Sequence, residues 1–328
     1  MPTIFNAARR NALAGALCCL AFAAPAAWAQ SWPAKPIRVI VNFPPGGAAD
    51  QLARMIGTPL GEALGQPVVI ENRGGANGNI GGEVVAKSPP DGYTLLMSSG
   101  GMVSVNPHIY PHMSFDPTKD LVPVASAARV LVYLVAKPSV PANNIKEFIA
   151  YVKANPGKLA YGSPGNGSSP HLAGEMLKSQ AGLYAIHVPY RGAAPALQDL
   201  LAGQLDFYFD PGIGLPYVKA NRLKLFAIGS MKRSPLFPDV PTLDEAGLKG
   251  FDADTVFGFY APAGTSPDVI NRLNREVNRI LGTPAVKERI ITLGGEPLAL
   301  SPAEFAAKAD EDSKRFAKII KERKILGD

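Results

Sequence analysis

Short apolar or β-branched runs alternate with apolar residues at helical spacing along most of the chain. Residues 37–41 (Ile-Arg-Val-Ile-Val) predict a buried strand. Phe43-Pro44-Pro45 ends it, because proline offers no donor to a sheet ladder. Gly46 and Gly47 then permit a sharp turn. Leu52, Ile56, Leu60 and Leu64, spaced by four, share one face of a following helix, which Pro59 should kink or end early. Val68-Val69-Ile70 is a second strand closed by Glu71-Asn72-Arg73. The glycine-rich stretch 74–82 leads into a short helix through residues 84–87. A turn at Pro89-Pro90-Asp91-Gly92 precedes a strand over 93–97, which stops at Ser98-Ser99-Gly100-Gly101.

Residues 130–135 read as a strand leaving this first half, after which the rhythm restarts. Ile145, Phe148, Ile149 and Val152 fit a helix at i, i+3, i+4, i+7. Strands over 159–161, 185–188 and 205–209 each end in a glycine-, serine- or proline-rich loop. Helices through Leu172, Met176 and Leu177, and from Pro195, follow the first two. A strand over 223–228 closes the second half, and one over 255–260 returns to the first. Helices over 267–281, 284–293 and 302–321 finish the chain. Alternating strands and helices predict α/β architecture with parallel-rich sheets covered on both faces, and ligand crevices at the carboxyl ends of their strands. Two such lobes, 30–131 plus 253–328 and 132–252, would face each other across those loops.

Length supports two lobes, since 328 residues exceed what one small core organises. The 33 glycines and 31 prolines imply many turns. Arg9-Arg10, an apolar run over 12–24 and Ala27-Trp28-Ala29 have the order of a secretory signal peptide, residues 1–29, cut after Ala29. The apolar run is too short to span a bilayer. Asn11-Ala12-Leu13 match a twin-arginine pattern poorly, which favours general secretion. Without the two leader arginines the net charge falls from +6 to +4, a balance suited to acidic small molecules. No run of Lys and Arg with interleaved aromatics suggests nucleic acid. Both cysteines, Cys18 and Cys19, lie in the leader, so the mature chain would have no disulfide, thiol nucleophile or cysteine-ligated metal.

Enzyme signatures are missing. No serine has glycine at both −2 and +2, and no H-E-x-x-H or P-loop pattern occurs. His108 and His112 have i, i+4 spacing, but Pro107 and Pro111 interrupt a helix, which favours a loop or packing role. Gly165-x-Gly167 opens a helix as a dinucleotide fingerprint would, yet Pro170 stands at its third position, so no cofactor and no metal are expected. What is present is a strand end, a bare glycine turn and a helix start at Gly46-Gly47. Free N–H groups and the positive end of a helix dipole would meet an anion there, unless this is an ordinary connecting loop. His171 reads either as a helix-start residue bonding its own loop or as a ligand contact. His187 lies within a strand and reads as core. Asp210 is a helix cap or a cleft carboxylate, and Arg191 a solvated rim charge or an anion partner.

Several motifs in one order closely resemble the substrate-binding proteins of tripartite tricarboxylate transporters, the Bug family. They are Lys35-Pro36-Ile37-Arg38 through Phe43-Pro44-Pro45-Gly46-Gly47, and Gly65-Gln66-Pro67 through Glu71-Asn72-Arg73. Pro90-Asp91-Gly92-Tyr93-Thr94-Leu95-Leu96, Tyr161-Gly162-Ser163 to Glu175, and His187-Val188-Pro189-Tyr190-Arg191-Gly192 continue the match. Phe237-Pro238-Asp239-Val240-Pro241-Thr242 and Ala261-Pro262-Ala263-Gly264-Thr265 carry it into the last third. The resemblance implies a periplasmic two-lobed Venus flytrap of the type II binding-protein architecture. A carboxylate would be held there by backbone amides, small hydroxyls and ordered waters. Its contacts fall on Phe43, Gly46, Gly47, Ala48, Asp50, Ser98, Ser99 and Gly100 of the first lobe. Those of the second fall on Ser163, Gly167, Ser168, Ser169, Arg191 and Asp210, beside the candidate His171. Asn42 departs from a usual proline, Pro170 from a non-proline, Arg191 from a common lysine and Asp210-Pro211 from a frequent Asp-Asn, all of which bear on ligand identity.

The implied ligand is a small organic acid: a di- or tricarboxylate, an aromatic acid or an amino acid. The implied partners are a large and a small membrane permease subunit, the protein itself acting as a monomer. The alternatives are an extracytoplasmic sensor signalling to a membrane receptor and, from a different class, a periplasmic hydrolase, which the missing nucleophile disfavours.

Overall fold

The structure, a computed structural model, describes residues 32–327; the leader with Ala29 and both cysteines lies outside them. From Lys35 onward the chain forms one compact unit. In chain order its elements are β1 (Ile37–Val41), α1 (Ala48–Leu64), β2 (Val68–Asn72), α2 (Asn79–Ala86), β3 (Thr94–Ser98), α3 (Gly101–Ser104) and α4 (Asn106–Ile109). Then come β4 (Leu121–Val130), β5 (Tyr133–Ala136), α5 (Ile145–Ala154), β6 (Ala160–Ser163), α6 (Ser169–Ala181), β7 (Ile186–Pro189), α7 (Ala193–Leu201), β8 (Phe207–Asp210), α8 (Leu215–Lys219) and β9 (Lys224–Ile228). The chain closes with β10 (Thr255–Pro262), α9 (Pro267–Leu281), α10 (Pro284–Thr292), β11 (Gly295–Pro297) and α11 (Pro302–Arg323). Among the described residues no helix is long and apolar enough to cross a membrane.

The strands form two sheets, ordered β11-β4-β10-β3-β1-β2 and β7-β6-β8-β5-β9. The α/β, two-lobed expectation holds, but the sheets are mixed and not uniformly parallel. β2-β1-β3 and β7-β6-β8 pair in parallel, joined by helices. The crossing strands run the other way: β10 is antiparallel to β3 and β4, and β5 to β8 and β9. A strand that enters from the other lobe needs no helical crossover, so parallel pairing is not imposed on it.

Two local expectations change. The strand expected over 130–135 is two strands, one per sheet, broken at Leu131-Val132, and β4 reaches back to Leu121. Pro123 and the small residues 125–128 hide that strand from a periodicity search. Helix α1 is not ended by Pro59. Gly57 and Gly61, on either side of it, lie so close to β2 that a β-carbon would come within 3.2 Å of Ile70 and 3.1 Å of the Gln66 carbonyl. Sheet packing thus holds the helix past the lost hydrogen bond.

Helix α11 ties the lobes together. Phe305, near its start, is buried with Ile40, Leu96 and Tyr260 of the first sheet. Phe316, Ile319 and Ile320, toward its end, join the second-lobe core around Phe148, Leu172 and Phe207. At the crossing point Arg129 of β4 pairs with Asp254, which also accepts from Ser230 Oγ (2.8 Å). Arg315 of α11 pairs with Asp252 and donates to the Asp254 carbonyl (2.7 Å) and to Asp312 Oδ1 (2.8 Å).

Candidate ligand-binding cleft

The loops after β1, β3, β6, β7 and β8 all open onto one cleft, as parallel strands require of their carboxyl ends. Asn42 anchors the first of them. It is fully buried, and its Nδ2 donates to Ser98 Oγ (3.1 Å) and the Gly78 carbonyl (3.3 Å). A β-carbon on Gly78 or Gly81 would run into Asn42, so those glycines are explained by its presence. The left-handed residue of the turn is Gly46 (φ +83°); Gly47 (φ −77°) is ordinary extended backbone. Gly46 N–H donates to Asp50 Oδ2 (3.0 Å), while Asp50 Oδ1 accepts from Arg54 Nε and Asn72 Nδ2, both at 3.0 Å. Burial pushes the Asp50 carboxyl up, but the Gly46 amide, Arg54 and Asn72 together hold it below its ordinary value. Asp50 therefore shapes the loop as a carboxylate.

Helices α1, α6 and α7 begin on this cleft, at Gly47, Ser168 and Gly192, and none has a side-chain cap. The first N–H groups of a helix have no partner within it, and the dipole adds positive potential at the same end. Between them lies a cavity of about 60 Å³. Of the expected contacts, Phe43, Gly47, Ala48, Ser99, Ser168 and Ser169 line it. Among the described residues no charged side chain does. Ser168 Oγ donates to the Gly165 carbonyl (2.7 Å), and Ser169 Oγ to the Ala253 carbonyl (2.5 Å), which fastens α6 to the crossing segment.

The remaining expected residues sit behind this wall or beside it. Ser98 accepts from Asn42, and Gly100 (φ +77°) lies where a β-carbon would meet the Val256 carbonyl at 2.6 Å. Gly167 touches the first lobe: its β-carbon would overlap Ile109 and come within 3.0 Å of Asn77. Ser163 is fully buried, with Oγ 2.7 Å from His187 Nε2. His171 Nδ1 accepts from Gly167 N–H (3.0 Å), as the helix-start alternative requires. Its ring stacks on His187, with centroids 3.9 Å apart and planes at 9°. Burial first, then the His171 charge, push the His187 imidazole down to about 3. Asp210 is fully buried, and its Oδ2 accepts from Gly212 and Gly214 N–H (2.8 and 2.9 Å), as the cap alternative requires. Complete burial pushes its carboxyl up to about 7. Arg191 lines an adjoining recess of about 640 Å³ with Phe43, Asn72, Gly75 and Tyr190.

The cavity also has walls that local patterns do not reveal. Val130 and Val132, with Thr255 and Phe257, come from the two lobe crossings; Val105, Pro170 and Pro195 come from helices or their starts. The crossing strands were recognisable, and a chain that joins two lobes must pass the floor of the cleft between them. His108 Nε2 lies 2.8 Å from Ser313 Oγ on the surface, a packing contact.

Residues 52–325 match the family described as "Tripartite tricarboxylate transporter family receptor". Protein BugT of Bordetella pertussis is 37% identical over 97% of this chain and 98% of its own length. The solved structure "R. palustris Rpa4515 with adipate" is similar with a TM-score of 0.87 and 34% identity, over 90% of this chain and 99% of that one. That of MatC from Rhodopseudomonas palustris with bound malate has a TM-score of 0.82 and 32% identity, over 88% and 100%. The chain thus belongs to the tripartite tricarboxylate transporter receptor family.

Proposed function

We propose that this protein is an extracytoplasmic solute-binding protein of the periplasm, which captures a small organic carboxylate and presents it to the permease subunits of a tripartite transporter. The observation that carries this is the convergence of three uncapped helix starts on a cavity whose wall, among the described residues, has no charged side chain. Backbone donors and aligned dipoles are aimed where an anion would sit, with no competing carboxylate. The adipate and malate held by the two similar structures support the ligand class. Family membership sets the hydrolase aside, since these proteins are transporter receptors.

Phe43, Gly47, Ala48, Ser99, Ser168 and Ser169 would touch the ligand. Gly46, Asp50, Ser98, Gly100, Ser163, Gly167, His171 and Asp210 would set the loops that present them, and Arg191 would guard the rim. Closure would move residues 30–131 plus 253–328 against 132–252, bending where the chain crosses. A thermal-shift screen of the chain from residue 30 against organic acids, sugars and amines tests the reading. A ligand at 100 times its Kd should stabilise the fold by about 2.7 kcal/mol. Stabilisation by a sugar or amine and by no acid would sink the proposal. Loss of acid uptake on deletion of the gene, with the permease intact, separates transport from sensing.

A further inference from the structure

Resting on the carboxylate-receptor reading, we infer that His171 is a positioning residue that ties ligand retention to pH. Neutral, it holds the Gly167 turn closed on the ligand, and a proton on it releases that turn. His171 is the third residue of α6, and its Nδ1 accepts from Gly167 N–H (3.0 Å), just outside the helix start. In a capping box a glutamate or glutamine at this position makes a similar backward bond. Imidazole differs, because Nδ1 accepts only while it carries no proton.

The bond lies where it acts on the ligand. Ser168 and Ser169, which follow Gly167, line the cavity. Gly167 itself (φ +78°) meets the first lobe. A β-carbon there would overlap Ile109 and come within 3.0 Å of Asn77 and 3.4 Å of Val105, which also lines the cavity. One turn thus makes both a wall of the cavity and a seam between the lobes.

The surroundings oppose a charge on His171 while the turn is closed. A protonated Nδ1 would point its N–H at that of Gly167, beside the positive end of the α6 dipole. His187 of β7 stacks on the ring at 3.9 Å, with Tyr161 of β6 a further 4.9 Å from His187. Glu175, one turn along α6, already accepts from Tyr161 OH (2.8 Å), Lys178 Nζ (2.6 Å) and, from α11, Arg323 Nε (2.9 Å). Burial would raise its carboxyl, but Lys178, Arg323 and Tyr161 hold it down at about 2. The cluster therefore sets two cations against one carboxylate, and His171 is itself buried. Opening the turn to water removes these penalties, so acid favours the open turn.

Calorimetry with malate, adipate and benzoate at pH 7.5 and pH 5.0 tests this, on the chain from residue 30 and on His171→Asn. The asparagine amide keeps an acceptor near the same place and does not titrate. A histidine freed to water, with an ordinary value of about 6.5, costs up to tenfold in affinity for each pH unit below it. For the tightest acid, the ratio of Kd at pH 5.0 to Kd at pH 7.5 should be about fivefold or more larger in the wild type than in the variant. That comparison cancels the titration of the acid, of Asp210 (about 7) and of Asp252 (about 6), and His187 stays neutral down to about 3. Equal ratios overturn the inference and leave the carboxylate reading standing; binding of no acid at pH 7.5 overturns both. Amide exchange at Gly167 in the ligand-free wild type needs no substitution. Corrected for the intrinsic effect of pH, its protection should fall about fivefold or more from pH 7.5 to pH 5.0. Unchanged protection would overturn the inference.

Discussion

Gly192, at the start of α7, lies against Pro44 of the opposite lobe: a β-carbon on Gly192 would come within 3.1 Å of the Pro44 ring. Pro44 lines both the cavity and the outer recess, so the contact sits where the lobes meet around the ligand. Gly192 also has φ +119°, a conformation that side chains resist. Gly192→Val should therefore hold the lobes apart and weaken ligand binding by tenfold or more. Small-angle scattering with saturating ligand should give a larger radius of gyration than the wild type. Equal radii and equal affinities would count against closure through this contact.

Gly47 offers a cleaner test of the amide cradle. Its backbone is ordinary, and an added β-carbon would meet only the Pro44 carbonyl, at 3.7 Å. Gly47→Val should fold normally and fill the cavity, abolishing binding. Ser168→Ala removes a hydroxyl whose proton already goes to the Gly165 carbonyl, so it should change affinity by less than about threefold. Arg191→Ala, altering a residue of the recess, should cost less than threefold. Calorimetry in which Arg191→Ala loses more affinity than Gly47→Val would replace the cradle with an arginine clamp.

Two buried groups give opposing dependences on pH. His187 has a folded value of about 3 against an ordinary 6.5, so the unfolded chain holds the extra proton between them and stability falls as pH drops through that range. Asp210 has a folded value of about 7 against 3.8, so the folded chain holds the extra proton and stability rises as pH drops from 7 toward 3.8. Asp210→Asn removes the second effect alone. Its stability relative to wild type should be greatest at pH 8 and decline toward pH 5, by up to ~1.4 kcal/mol per pH unit. Urea denaturation that gives the same difference at both pH values would contradict this.

The local units of the fold were legible. In 37–64, 160–181 and 186–201 a strand, a glycine turn and a helix follow each other within about 30 residues, and their signals lie in neighbouring positions. The helix starts that frame the cavity came with them. The two crossing strands of its floor were recognisable too, but not their pairing, because Val130 and Thr255 lie 125 positions apart and nothing in either segment names the other. Asp210 shows a second limit. A carboxylate after a strand looks the same whether it meets a ligand or the amides of Gly212 and Gly214, and only the backbone path decides. Asn42, a departure from a usual proline, proved to be the tie that binds three loops.

The crossing point makes the last prediction. Asp254 is almost completely buried, and burial alone would raise its carboxyl; Arg129 first, with Arg315 and Ser230, holds it below its ordinary value instead. Its pairing therefore stabilises the fold above the ordinary carboxylate range and fades as pH falls through the folded value. Arg129→Met would leave that charge partly uncompensated, at a cost of about 3 kcal/mol near neutral pH. Since Arg129 belongs to β4 and Asp254 to the returning segment, the loss should appear in global unfolding. The penalty should shrink at pH 4, where Asp254 can take a proton. Adding Asp254→Asn to Arg129→Met removes the stranded charge and should recover more than half of the lost stability at pH 7. A double variant as unstable as the sum of the two single ones would show that the pair acts independently. The crossing point would then be held by Arg315 and the helix that carries it.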